Sequence, residues 1–285
     1  NNNTIGGNTY TPGQTDQWEK SGTANNLFYG IYVRGSGPAP QQLSGQLYAN
    51  TIHLFDWHNS GNASWTGIHA DRYSSYSIGA SGQGNVIGSL TETSSIILTQ
   101  DITSISDFPD YTGFFGINYV SDYSIYMQYN AIGGITTATT DPQLSCNAFG
   151  IAKFFNGTYI PLYIRHNTIH NLIATSASTN NIQLVYGIVH EFPFAPPPPA
   201  PGYIILGHVS ISDNIINGLT NSSNSAFEVS GSGSRVQGIR VSSYFSEIFN
   251  NQVMNLTTAS RSTNKEMNVS VAGIAMRSFR YIYLR

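Results

Sequence analysis

The residues able to do chemistry fall in a few places. Carboxylates gather in the stretch holding Glu92, Asp101, Asp107, Asp110 and Asp122. Two carboxyls facing each other across a groove can serve as acid and base of a glycosidase, and several oxygens at fixed offsets hold Ca²⁺. The spacing here fits neither an EF-hand loop nor a Ca²⁺-binding nonapeptide repeat. Asp107 and Asp110 remain as catalytic candidates, set against solvated loop carboxylates. His69 and Asp71 follow Gly67 by two and four residues and sit beside Arg72. Alternate residues of an extended strand share a face, so His69 and Asp71 are candidates for a general-base pairing. Polar decoration of an exposed strand is the bland alternative. His190 and Glu191 follow Gly187 by three and four residues, on the sheet expected to carry Asn118, Lys153 and Arg240.

Other reactive side chains suggest less. The single Cys146 has no partner for an internal disulfide and lies among residues that suit a small buried hydrophobe. His166 and His170 flank Asn167 on a bend rather than a helix, so they do not form a metal pair. With no ligand-spaced Cys/His/Asp cluster, the expectation is no metal and no organic cofactor. Trp57 and Trp65, in the segment from His53 to Trp65, are candidates for stacking on sugar rings; aromatics also fill gaps in β cores.

The elements that must position these residues are written in a repeat. At intervals of 35 to 47 residues an Asn is followed two residues later by Ile or Val: Asn3/Ile5, Asn50/Ile52, Asn85/Ile87, Asn130/Ile132, Asn167/Ile169, Asn214/Ile216 and Asn251/Val253. Alternating with them are Gly-Ile pairs beginning at Gly30, Gly67, Gly116, Gly150, Gly187, Gly238 and Gly273. Such a period marks a solenoid. Around the Asn the template is apolar-x-apolar-x-x-Asn-x-apolar-x-x-apolar, clearest in Leu162–Leu172 and Val209–Leu219. Period-two alternation is a strand with one buried face. The break before Asn reads as a bend made by an Asn that tolerates the left-handed region. Asn50, Asn85, Asn130, Asn167, Asn214 and Asn251 are expected to stack at one bend and share amide hydrogen bonds. Marks recur at alternating long and short spacings, so that a double unit of roughly 80 residues is the more regular one.

This pattern resembles the right-handed parallel β-helix, the pectate-lyase-like family, over nearly the whole chain. The resemblance implies an all-β, right-handed parallel β-helix solenoid of about six to seven coils with long loop insertions. It says little about activity, because the same coil serves enzymes, tailspikes, adhesins and fibres. Galacturonases of this kind carry Asn-Thr-Asp, a doubled Asp and Gly-His-Gly; here only Gly207-His208-Val209 stands. The Arg or Asp-Asp signatures of the lyases are missing too.

Composition narrows the classes further. Only 9% of the 285 residues are charged while 40% are hydrophobic, and the net charge is −3. That excludes a disordered chain and gives no basic stripe for nucleic acid. No apolar run reaches the ~20 residues of a membrane helix. The whole chain, residues 1–285, reads as one β-helix domain, a segment of a longer secreted protein. The expected role is structural or adhesive and non-catalytic, at the cell surface or outside it: stalk, adhesin or filament subunit. Its partners would be neighbouring parts of a longer chain or further subunits at the open coil edges. The competing expectation is a polysaccharide lyase, glycoside hydrolase or carbohydrate-binding β-helix. The run Glu191–Gly202, rich in proline, reads as a stiff excursion from the coil.

Overall fold

The computed structural model describes residues 1–7, 17–22, 24, 26–35, 44–59, 61, 63–71, 74–102, 112–120, 123–141, 143–154, 161–176, 181–191, 208–223, 233–260 and 269–284. Among these there is no helix, and every ladder between strands is parallel. A lone antiparallel bridge joins Ile102 to Ser145.

The strands form three stacks. The glycine stack runs through Phe28–Val33, Ser64–Ala70, Gly113–Tyr119, Ala148–Lys153 and Leu184–His190, and ends on the first halves of Arg235–Phe249 and Val271–Leu284. The lead-in stack holds Ser44–Leu47, Ser75–Ile78, Ile125–Gln128, Leu162–Arg165 and His208–Ser212, joined to the later halves of the same two long strands. The asparagine stack holds Thr4–Gly6, Thr51–His53, Val86–Gly88, Ala131–Ala138, Thr168–Thr175, Ile215–Asn221 and Gln252–Thr258. Three short strands, Trp18–Lys20, Phe55–His58 and Ile96–Thr99, continue the far half of Ala131–Ala138 toward the N-terminal end.

The two sequence marks become two columns. Ile31, Ile68, Ile117, Ile151, Ile188, Ile239 and Ile274 are register partners in turn. Ile5, Ile52, Ile87, Ile132, Ile169, Ile216 and Val253 form the second column. The glycines explain why the marks travel together. A Cβ on Gly150 would lie 2.5 Å from the Gly187 carbonyl oxygen and 2.9 Å from the Ile169 side chain. Gly30, Gly67, Gly116 and Gly187 meet Ile52, Ile87, Ile132 and Ile216 in the same way, and Gly238 meets Val253. The bare glycine therefore admits the branched side chain from across the interior, and each rung interlocks with itself. Gly150→Ala is expected to cost about 1–3 kcal/mol through overpacking. Equilibrium unfolding in urea reads that loss, and an unchanged midpoint would sink it.

The bend differs from the sequence expectation in one respect. The residue in the left-handed region is the one before the ladder Asn, not the Asn itself: φ is 54° at Ala49, 58° at Tyr129, 54° at His166, 58° at Asp213 and 54° at Asn250. The Asn side chain does something else. In each step from Asn3 through Asn50, Asn85, Asn130, Asn167 and Asn214 to Asn251, Nδ2 donates to the Oδ1 of the next Asn at 2.8–3.0 Å. The backbone N–H of the same residue donates to that same Oδ1. The second Nδ2 hydrogen satisfies a carbonyl of the lead-in strand one rung back, such as Met127 for Asn167 at 2.9 Å. A carboxamide presents two donors and a two-lone-pair acceptor in one plane, which is what a buried bend of stacked backbones requires.

A second left-handed position follows the Ile of the asparagine stack, at Leu54, Gly134, Asn171, Gly218 and Asn255. At Gly134, Asn171, Gly218 and Asn255 it turns the chain without ending the strand, so that Thr168–Thr175 runs as one element, whereas at Leu54 it separates Thr51–His53 from Phe55–His58.

Candidate functional site

The outward side of the glycine stack holds most of the polar side chains singled out in the sequence. Its column two residues past the glycine reads Tyr32, His69, Asn118, Ala152, Val189 and Arg240. His69 is buried and stacks on Tyr32, with ring centroids 5.3 Å apart and planes 4° apart; Tyr29 leans on its edge at 4.9 Å. Asp71 is near enough to act electrostatically on His69, yet its carboxylate is engaged elsewhere. It accepts the Tyr32 hydroxyl at 2.7 Å and lies 3.6 Å from Arg34 Nε. The hydrogen bond raises the Tyr32 phenol pKa. Burial pushes the His69 pKa down, with Asp71 pulling it partly back.

The two expected members of a general-base pair thus lie close together without forming a dyad. His69 Nδ1 is buried with no hydrogen-bond partner. A base needs an oriented imidazole whose charge is stabilised by its carboxylate, and here the carboxylate is bound to a phenol and a guanidinium. Tyr32 and Arg34, one rung back at the same strand, are the partners that the sequence analysis missed. Their signal was there: they stand two and four residues past Gly30, as His69 and Asp71 stand past Gly67.

Beside this cluster, at the corner between the glycine and lead-in stacks, opens a cleft of about 290 Å³. Arg34, Gly35, Ser44, Gln46, Ser74 and Tyr76 line it. Its floor is set by Gly45, where a Cβ would strike the Tyr76 ring at 2.7 Å. Hydroxyls, an amide, a cation and an aromatic ring can together hold a small hydroxylated ligand.

The other candidates are placed as follows. Asp107, Asp110, Asp122, Arg72 and the proline run 194–201 lie outside the described residues. Asp101 is buried and caps a turn, accepting Thr140 N at 2.9 Å, Asp141 N at 3.2 Å and the Thr140 hydroxyl. Trp65 corrects the expectation of an exposed sugar platform. It is fully buried, sandwiched between Phe28 at 5.0 Å and Phe114 at 5.3 Å. Phe55 meets the indole edge-on at 5.2 Å. Trp57 is only partly buried but packs on the same core against Phe28, with Lys20 Nζ 5.9 Å above its ring. Cys146 donates toward Gln183 Oε1 at 3.4 Å, and burial pushes its pKa up to about 12, a thiol closed to nucleophilic chemistry. Among the described residues no three His, Cys, Asp or Glu side chains gather as a metal cluster, and no helix is long and apolar enough to cross a membrane.

Further along the glycine stack the polar groups are shut in. Glu191 and Arg240 form a bidentate pair, Nη2 to Oε1 at 2.6 Å and Nε to Oε2 at 2.7 Å, both side chains buried. Arg240 also donates to Gln237 Oε1 and lies over the Tyr186 ring. A second apolar cluster, Phe115, Phe149, Phe154, Ile182, Leu184 and Tyr186 among it, lies on this outward face. On the core-facing side of the same strands, in register with Lys153 and Val241, His190 is buried, and burial first, then the Lys153 ammonium, hold its pKa well below the ordinary 6.5. A base whose folded pKa is depressed binds fewer protons folded than unfolded, so stability falls as pH drops below about 6.5. Unfolding free energy is expected to decline between about pH 7 and pH 5, by up to ~1.4 kcal/mol per pH unit for such a group. His190→Asn should flatten that decline; an identical slope would assign it elsewhere.

Scans against family models, curated proteins and solved structures each gave no match.

Proposed function

We propose that this chain is a structural or adhesive, non-catalytic solenoid segment of an extracellular or cell-surface protein. The observation that carries this reading is the unbroken asparagine ladder from Asn3 to Asn251, seven residues joined side chain to side chain. A ladder of this kind resists shear along its whole length, the mechanical task of a stalk or filament. Low charge supports it, because stacked subunits then repel one another little. The coils, six to seven of them, are read as right-handed, since parallel crossover connections are right-handed in ~98% of cases.

The outermost rungs support assembly. Ile274 is 42% exposed and Val271 44% exposed, whereas Ile68, Ile117, Ile151, Ile188 and Ile239 of the same column are fully buried. At the other end Trp18 and Leu27 are exposed. An exposed strand edge is a template for a further strand, the contact through which an assembling segment would associate.

A second reading, carbohydrate binding, rests on the polar cleft at Arg34, Gln46 and Tyr76 rather than on Trp57 and Trp65. One experiment separates the readings: the purified chain is incubated with acidic and neutral polysaccharides while product release and molecular size are followed. The structural role predicts no shortened product and concentration-dependent association. Retention on a polysaccharide that is lost in Arg34→Ala favours the cleft. Depolymerisation lost on changing Asp71, Asp107 or Asp110 would establish an enzyme instead.

A further inference from the structure

The outward side of the lead-in stack carries an unusual pair. Tyr126 and Tyr163 are register partners on adjacent strands. Their rings stack with centroids 4.8 Å apart and planes 7° apart, and Tyr126 is 42% exposed. The Arg165 guanidinium lies 4.7 Å from the Tyr163 ring, adding a contact that restrains it. The interior needs neither phenol: the core residues of these two strands are Ile125, Met127, Leu162 and Ile164, which alternate with them. Among the described residues the other tyrosine pair in contact, Tyr29 and Tyr32, is inclined by 56°, and its Tyr32 hydroxyl is committed to Asp71.

Two phenols held at the rung spacing and stacked ring on ring, Tyr126 exposed and Tyr163 partly so, suit one chemistry better than binding. We propose that Tyr126 and Tyr163 are a site of oxidative cross-linking, at which a haem peroxidase using hydrogen peroxide joins them as a dityrosine between successive rungs. Each phenol gives up one electron and one proton, leaving a phenoxyl radical with spin on the ring carbons ortho to oxygen. A bond forms between one such carbon of Tyr126 and one of Tyr163. Each of those carbons then loses its hydrogen to the ring oxygen, which restores both aromatic rings and both hydroxyls. Two electrons and two protons thus pass to one peroxide, giving two waters, and the protein becomes lighter by two hydrogens. The rings must swing from face-to-face to edge contact, a motion about the broad terminal torsion of tyrosine that exposure permits. Preorganisation makes the coupling effectively unimolecular, so it outruns coupling between separate molecules. The product closes a covalent loop between neighbouring rungs and so restricts the unfolded chain, as any cross-link does.

The test is to treat the folded chain, at low concentration, with horseradish peroxidase and peroxide. The expected product is a monomer two hydrogens lighter, with dityrosine fluorescence. Its digest should contain one branched peptide pairing residues 126 and 163. The midpoint of thermal unfolding should rise by several degrees. Tyr126→Phe and Tyr163→Phe keep the ring stack and should each abolish the fluorescence of the monomer. Fluorescence surviving in both variants, a cross-link mapped to other tyrosines, or product found only between chains would overturn the proposal. This inference concerns covalent chemistry and stands whether or not the segment is adhesive.

Discussion

Asn167→Leu is expected to destabilise the chain by about 4 kcal/mol. Leucine keeps the branching and the number of side-chain heavy atoms of asparagine but is bulkier, so the loss is chiefly of hydrogen bonds, with some overpacking added. Asn167 is fully buried. Its Oδ1 accepts the backbone N–H and the Nδ2 of Asn130, both at 3.0 Å. Its Nδ2 donates to Met127 O at 2.9 Å and Asn214 Oδ1 at 3.0 Å. Removing the carboxamide strands two donors and deprives two acceptors, all away from water. Each stranded donor costs about 1–3 kcal/mol, and each carbonyl with a second lone pair costs less. Asn3→Leu, at an exposed position with one neighbour in the ladder, is the comparison and should cost under ~1 kcal/mol. Urea unfolding with an unchanged m-value measures both. If the two variants lose the same amount, the ladder is not what holds the bends together.

Arg240→Ala should cost about 3–5 kcal/mol, because it leaves the Glu191 carboxylate buried without its cation. The pair is bidentate, and Glu191 is only 9% exposed. The cost belongs to the uncompensated charge rather than to the attraction, since two buried ions also give up their hydration. Replacing both residues together, Glu191→Leu with Arg240→Met, is therefore expected to restore stability to within about 1 kcal/mol of the original chain. Denaturant unfolding of the two singles and the double closes the cycle. A double variant as unstable as Arg240→Ala would show that the pair holds the outward face in place by geometry, not merely by neutralising itself.

Several features of this molecule could be read without coordinates. The recurring Asn-x-Ile/Val and Gly-Ile marks dictated a stacked β architecture, because a period of 35 to 47 residues with apolar alternation can bury its side chains only by repeating them in columns. The residues at those columns, from Ile52 to Ile216, were legible for the same reason. The bend was legible in place but not in detail: side-chain chemistry pointed to Asn as the left-handed residue, whereas stacking made the carboxamide more useful as a hydrogen-bond relay and moved the positive φ to Ala49, Tyr129, His166 or Asp213.

What only the tertiary structure decided concerns the faces that the repeat leaves free. Period-two alternation says which side of a strand is inward; it cannot say that the outward side of the glycine stack is buried as well, enclosing Glu191 with Arg240, nor that the core-facing column of Ala70, Tyr119 and Val241 also takes in Lys153 and His190. Nor can it foretell that Trp65 is shut into the core. His69 and Asp71 share a face as their spacing required, yet Asp71 binds Tyr32, 39 residues earlier in sequence. A solenoid repeat fixes rung position by local periodicity. It leaves lateral contacts between rungs to whichever side chains the variable loops happen to bring into register, and those contacts set burial, charge and reactivity.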